Sequence, residues 1–300
     1  MRTLCFGEAI VDLICRRPVA SLHDVDAFVP HCGGVTANVA VAAARAGAAV
    51  ALAGGAGDDP WGGWLHDRLA AENVDLSWFG LVDGLRTALT FVTVDERGEP
   101  TYQLYGDGVA ATVGALEGRL LDAVDACGAL FFTSNTLAGP AEAKLTMEAR
   151  ERALELDRPI VFDPNLRMGR WRDTPGRAGT AAGACVKGAF LVKCNQAEAR
   201  LMTGETDPEA AASSLLAGGA KHVIVTSGAG GAILRAKGMN FDVRANPARV
   251  VSAVGAGDVF LGTLLARLGM TDFYPAALAA ALPAAAAEAA RACERWGALE

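Results

Sequence analysis

Short, unbroken apolar runs separated by alanine-rich helical stretches constrain this chain more than any other feature. Thr3-Leu4-Cys5-Phe6, Val50-Ala51-Leu52-Ala53, Ala129-Leu130-Phe131-Phe132, Pro159-Ile160-Val161-Phe162, Phe190-Leu191-Val192 and His222-Val223-Ile224-Val225 are bounded by turn residues. A strand with one wet face alternates apolar and polar residues. An unbroken run of this length therefore indicates a strand covered on both faces, as in a parallel sheet. Helical stretches lie between the runs, at residues 36–46, 141–156 and 208–217. The alternation predicts an α/β fold, a three-layer sandwich around a mostly parallel sheet. At 300 residues, 52% of them apolar, the chain suits one such domain carrying an insertion, spanning residues 1–300 without a linker.

Two regions break the rhythm, at about residues 11–30 and 85–108, where apolar and polar positions alternate. Thr90-Phe91-Val92-Thr93-Val94, then Asp95-Glu96-Arg97-Gly98, then Thr101-Tyr102-Gln103-Leu104 reads as a hairpin. Half-buried antiparallel strands inserted into a parallel domain predict a small β lid. Lids keep water, a competing acceptor, out of a reaction.

A net charge of −7, with no Lys/Arg run longer than the pair Arg16-Arg17, argues against a nucleic-acid partner. Small anions remain accessible to glycines and helix N-termini. Seven scattered cysteines form no C-x-x-C pair, and the four histidines lack metal-ligand spacing, so the thiols read as free and buried in a reducing cytoplasm. The N-terminus opens directly into a strand, and the alanine-rich C-terminal segment is broken by Pro283, Glu288 and Arg291; no membrane partner is expected.

The sharpest local feature is Gly255-Ala256-Gly257-Asp258, after the strand-like Arg249-Val250-Val251 and before an apolar helix at 259–268. Glycines at a helix start leave backbone N–H groups unshielded, and the helix dipole adds positive potential there. Such a cradle suits a transferring phosphoryl group, and the carboxylate beside it suits a general base. The same four residues also suit a tight turn with a helix-start Asp.

This element resembles the C-terminal signature of the ribokinase-like (PfkB) carbohydrate kinases. Cys32-Gly33-Gly34-Val35-Thr36-Ala37-Asn38-Val39-Ala40 and Gly57-Asp58-Asp59-Pro60-Trp61-Gly62 resemble the family's N-terminal signature, in the proper order. Neither a G-x-x-x-x-G-K-[ST] loop nor a strand followed by G-x-G-x-x-G occurs. The resemblance implies Asp258 as base and Gly255, Ala256 and Gly257 as anion cradle. It implies Asp12, Gly33, Gly34, Asn38, Arg86 and Arg167 around the sugar, Asp12 orienting hydroxyls and Arg167 clamping phosphate. Asp163-Pro164-Asn165-Leu166-Arg167 is similar to the D-x-N-x-R segment of the fructokinase and 2-keto-3-deoxygluconate kinase branch. Lys193, Asn195, Thr226, Gly228 and Gly231 match nucleotide-binding positions, and Asn195 with Glu198 would organise Mg²⁺ through water, although N-x-x-E is also an ordinary helix cap.

The resemblance implies an ATP-dependent kinase for a sugar hydroxyl, with a fructose-like acceptor favoured, Mg²⁺ as cofactor and a homodimer formed through the lid. Acceptance of 2-keto-3-deoxygluconate, ribose or a nucleoside is the alternative; a non-catalytic sugar or nucleotide sensor is the alternative of another class. Tyr102-Gln103-Leu104-Tyr105-Gly106-Asp107 lacks a basic residue, which disfavours the keto acid. Ser252-Ala253-Val254 stands where the family usually has D-T-T, which puts a monovalent cation in doubt. Leu282-Pro283-Ala284-Ala285 departs from the usual residues near adenine.

Overall fold

The computed structural model describes residues 1–106, 108–171, 174–297 and 299; Asp107, at the end of the expected lid segment, lies outside them. Among the described residues the strands are β1 (Thr3–Phe6), β2 (Ile10–Cys15), β3 (Phe28–Gly33), β4 (Val50–Gly57), β5 (Phe79–Val82), β6 (Leu89–Val94), β7 (Pro100–Tyr105), β8 (Ala129–Thr133), β9 (Ile160–Asp163), β10 (Leu191–Asn195), β11 (His222–Thr226), β12 (Ala232–Ala236) and β13 (Met239–Val243). The helices are α1 (Val35–Arg45), α2 (Pro60–Ala71), α3 (Gly108–Gly114), α4 (Leu120–Ala126), α5 (Pro140–Glu155), α6 (Ala178–Ala184), α7 (Gln196–Thr203), α8 (Pro208–Ala217), α9 (Ala256–Met270) and α10 (Ala277–Cys293).

Nine strands form one sheet in the order β13-β12-β11-β10-β9-β8-β1-β4-β5. It is parallel from β11 to β5, and β12 and β13 close one edge antiparallel. The unbroken apolar runs follow from this. Leu4, Phe6, Leu130, Phe132 and Phe162 enter the core under α3–α8, while Cys5, Phe131 and Val161 enter the core under α1, α2, α9 and α10. Successive strand residues point to opposite faces and both faces are dry. Phe132→Ala would cost about 3–5 kcal/mol through lost transfer energy and the cavity left behind. Helix α10 runs through Pro283 without a break.

The lid is a separate sheet in the order β3-β2-β6-β7. Two details differ from the sequence reading. The β2–β6 pair is parallel, not antiparallel, because each strand leaves the main domain from the same side. Strand β3 runs past residue 30 to Gly33, so the Gly33-Gly34 turn joins the lid directly to α1.

The segment Arg249-Val250-Val251 is not a strand. The N–H groups of Val251 and Ser252 donate to the Cys293 carbonyl at the end of α10, and Ala253 donates to Gly98 at the lid-hairpin turn, so no neighbouring strand receives them. What positions the site is the contact between α1 and α9. A Cβ on Gly262 would lie 2.5 Å from Ala42 Cβ and 2.8 Å from the Val39 carbonyl, so the helices approach to a distance that only glycine permits.

Candidate active site

A cleft of about 790 Å³ lies between the lid and the carboxyl ends of the parallel strands, beside the point where the chain order reverses around β1. Open α/β sheets bind ligands at such points, because loops from neighbouring strands diverge there. Asp12, Gly34, Asn38, Arg167, Gly255 and Asp258 all line this cleft, arriving from β2, α1, the β9 loop and the start of α9.

Gly255 caps α9 with φ of 69°, and Ala256, Gly257 and Asp258 form the first helical turn. The N–H groups of Gly255 and Gly257 have no hydrogen-bond partner among the described residues. Those amides and the positive end of α9 form a site for an anion. Asp258 is buried and Asn38 Nδ2 donates to its Oδ2 at 2.9 Å. Burial raises the Asp258 carboxyl to about 6, against the lowering influence of that hydrogen bond and of Arg167 and Lys193. A base of this strength suits neutral pH.

Asp12 is also buried. Burial raises its carboxyl to about 7, opposed by Arg167 and reinforced by the charges of Asp258 and Glu8. Gly33 does not line the cleft but backs it, since a Cβ there would stand 2.3 Å from Asp12 Oδ2. The Arg167 guanidinium stacks 4.3 Å from the centre of the Tyr102 ring, which carries lid residue Tyr102 across to the β9 loop.

Arg86 falls elsewhere. It is exposed and does not line the cleft, because Thr87 beside it is buried and bonded to Asp59. That anchor fixes the backbone with the arginine turned outward.

Asn195, Glu198, Thr226, Gly228 and Gly231 lie at the ends of β10 and β11, next to the cleft and not in its lining. Asn195 and Thr226 are register partners, Thr226 Oγ1 donates to the Cys194 carbonyl at 3.4 Å, and Gly228 and Gly231 bound a turn into β12. Asn195 and Glu198 form a full capping box at 2.9 Å in each direction. Glu198 also accepts from the Leu166 N–H, and burial with the Asp163 charge raises its carboxyl to about 6.

Lys193 sits beneath the cradle, its Nζ donating to Asp163 Oδ2 at 2.8 Å and lying 3.2 Å from where a Gly257 Cβ would be. Burial pulls the ammonium down, but Asp163, Glu198 and Asp258 outweigh it and hold it above its ordinary value. The residues Glu8, Tyr102, Asn135 and Arg170 line the cleft as well, and residue chemistry alone had not marked them. One signal was available: Asn135 lies two residues past a buried parallel strand, where sites in this fold class gather.

The model of the pfkB family of carbohydrate kinases matches residues 2–299. A fructokinase of Rhizobium leguminosarum bv. trifolii is 33% identical over 269 residues, covering 90% of this chain and 80% of that protein. A fructokinase double mutant of Vibrio cholerae O395, solved in fructose, ADP and potassium ion bound form, superposes with a TM-score of 0.88 at 28% identity, covering 99% of this chain and 94% of that one. The aminoimidazole riboside kinase of Salmonella enterica, complexed with aminoimidazole riboside and an ATP analog, gives a TM-score of 0.82 at 26% identity over 100% of this chain and 95% of that one.

Proposed function

Since the chain belongs to the pfkB family of carbohydrate kinases, we propose that it transfers the γ-phosphate of ATP to a hydroxyl of a fructose-like sugar. The observation that carries this reading is the carboxylate of Asp258, buried in the first turn of α9 beside unpaired amides and facing the same cleft as Asp12. Asp12 accepts hydroxyl hydrogens from the sugar and orients it. Asp258 takes the proton of the attacking hydroxyl. The amides of Gly255 and Gly257 receive the negative charge that spreads over the transferring phosphoryl oxygens. Arg167, stacked on Tyr102, adds a fixed positive charge on the same side. The nucleotide lies along the ends of β10 and β11, against Thr226, Gly228 and Gly231.

The donor set near Lys193 fits a hydrated Mg²⁺. Three carboxylates, Asp163, Glu198 and Asp258, act on one ammonium, and among the described residues no group of three or more His, Cys, Asp or Glu could hold a metal directly. Asn195 and Glu198 would hold the ion through water, and the ion would supply neutralisation of phosphate charge.

The outer face of the lid supports a homodimer. Phe28, Phe91 and Tyr105 pack edge to face at 5.0 and 5.1 Å, on the face of the sheet opposite Asp12 and Thr90, and Tyr105 is 53% exposed. Seven free cysteines support a reducing cytoplasm as its place of work, and among the described residues no helix is long and apolar enough to cross a membrane. An ADP-release assay over a panel of fructose, ribose, 2-keto-3-deoxygluconate and nucleosides tests the reading. Turnover with fructose is expected. Ligand-induced melting shifts without turnover would mean a sensor instead.

A further inference from the structure

Asn135 is 4% exposed, lines the cleft, and leaves its side-chain Oδ1 buried with no partner among the described residues. A buried acceptor without a donor lowers stability and is rare in a folded protein. The rest of the residue is fully engaged. Its N–H donates to Thr133 Oγ1 at 3.2 Å, its carbonyl accepts from Arg170 at 2.9 Å, and its side-chain Nδ2 donates to Glu8 Oε1 at 2.9 Å.

Glu8 decides which way the amide faces. It also accepts the Val35 N–H at 3.1 Å and the Thr36 hydroxyl at 3.3 Å, so it acts as an acceptor toward every neighbour. A carboxylate in that role can face only the NH₂ of an amide, and the oxygen of Asn135 must then point away. Arg170, which holds the Asn135 carbonyl, is itself fixed by Glu142 at 2.7 Å. The acceptor is thus pre-oriented, dry and without a donor of its own. Through Glu8 it is tied to the first turn of α1, the turn that leads to Asn38 and Asp258.

We propose that Asn135 Oδ1 accepts a hydrogen bond from a hydroxyl of the acceptor sugar other than the one that receives phosphate, with Glu8 as the positioning residue that sets the sense of the amide. The inference rests on the sugar-kinase reading and adds a specificity determinant to it. A site built to hydrogen-bond a hydroxyl rejects the analogue that lacks it, because the buried partner is then left unpaired.

The test measures kcat/KM for fructose and for its monodeoxy analogues, each lacking one hydroxyl, with the wild-type enzyme, Asn135→Leu, Glu8→Ala and Glu8→Gln. The wild type should lose about 10- to 100-fold on one particular analogue, the range expected when a buried acceptor loses its donor. In Asn135→Leu that penalty should disappear, because the group that senses the hydroxyl is gone. Glu8→Ala removes the acceptor that the Val35 N–H and the Asn135 amide share, so both senses of Asn135 become available and the penalty should shrink, whereas Glu8→Gln, whose oxygen stays with the Val35 N–H, should keep it. A nucleotide-dependent melting shift like that of the wild type establishes that each variant is folded.

Undiminished discrimination in folded Asn135→Leu overturns the proposal; should that variant fail to fold, undiminished discrimination in Glu8→Ala overturns it. A wild-type enzyme that phosphorylates no sugar of the panel overturns the kinase reading itself, and the two failures are told apart by whether fructose turns over.

Discussion

The side-chain amide of Asn38 donates a 2.9 Å hydrogen bond to Oδ2 of Asp258, joining residues 220 positions apart in the chain. The bond exists because α1 and α9 pack closely at Gly262, one turn beyond Asp258, where a side chain would strike Val39 and Ala42. With Oδ2 occupied, Oδ1 of Asp258 is the oxygen left to face an incoming hydroxyl. A residue expected in the sugar pocket therefore also orients the proposed base.

Asp258→Asn should lower kcat by at least ~10²-fold, the low end of general-base contributions, while ADP binding measured by calorimetry stays unchanged. The same variant should be more stable without ligand. Burial raises this carboxyl above its ordinary value, so ionisation at neutral pH costs folding free energy, and the cost fades as pH falls through about 6. The melting temperature at neutral pH should rise, reflecting on the order of 1–3 kcal/mol. Normal turnover in this variant would remove Asp258 from the role of base.

The pH profile should carry an acid limb. A base held at about 6 is protonated below that value, so kcat/KM should fall as pH drops through about 6. The hydrogen bond from Asn38 favours the ionised form of Asp258, and Asn38→Ala should move the limb to higher pH. A limb that stays in place in Asn38→Ala contradicts the coupling.

Gly257→Ala places a methyl group 3.2 Å from Lys193 Nζ, inside the anion cradle. The expected result is a rise of about tenfold in the KM for ATP, equivalent to about 1.4 kcal/mol, with little loss of stability. Steady-state kinetics beside a melting curve separates the two effects, and an unchanged KM would show that phosphate does not approach this face.

Potassium should matter little. Ser252 Oγ accepts the Val254 N–H at 3.2 Å, Ala253 donates to Gly98 at 2.8 Å, and Val254 is buried with Val92 and Val94 of the lid. Backbone and apolar contacts already hold the segment before the cradle. Replacing K⁺ by tetramethylammonium at equal ionic strength should change kcat by no more than about twofold, less than 0.5 kcal/mol of barrier. Activation of tenfold or more would reveal a cation site that these contacts do not replace.

Phe91→Glu puts a charge in the middle of the aromatic row on the outer face of the lid, and should convert a dimer into a monomer in sedimentation velocity. A wild-type protein that is already monomeric at micromolar concentration sinks the lid-dimer proposal.

The unbroken apolar runs were sufficient to identify the parallel sheet, because a strand dry on both faces has a composition that few other elements share. The lid strands were legible from alternation, and the cradle from glycines at a helix start. Local pattern could not give the parallel β2–β6 pairing, since pairing depends on where distant strands leave the domain. Arg249-Val250-Val251 has the composition of a strand, yet its N–H groups donate to Cys293 and Glu294 at the end of α10, which only the packed chain supplies. Arg86 stands outside the cleft lining, and local pattern could not give that, because the anchor that turns it outward, Asp59 to Thr87, links positions 28 apart. Asn195 and Glu198 looked alike as cap and as metal site, and the structure forms the cap, leaving the cation role to be tested. The fold class was legible in the chain's own residues, as were the glycine-rich helix start and the carboxylate of Asp258 proposed as base. Tertiary structure alone decided that Asn38 and Lys193 act on Asp258 and that Glu8 holds Asn135 at the cleft. Hydrogen bonds and charges couple groups by distance in space, and the chain places those groups next to one another only once it is folded.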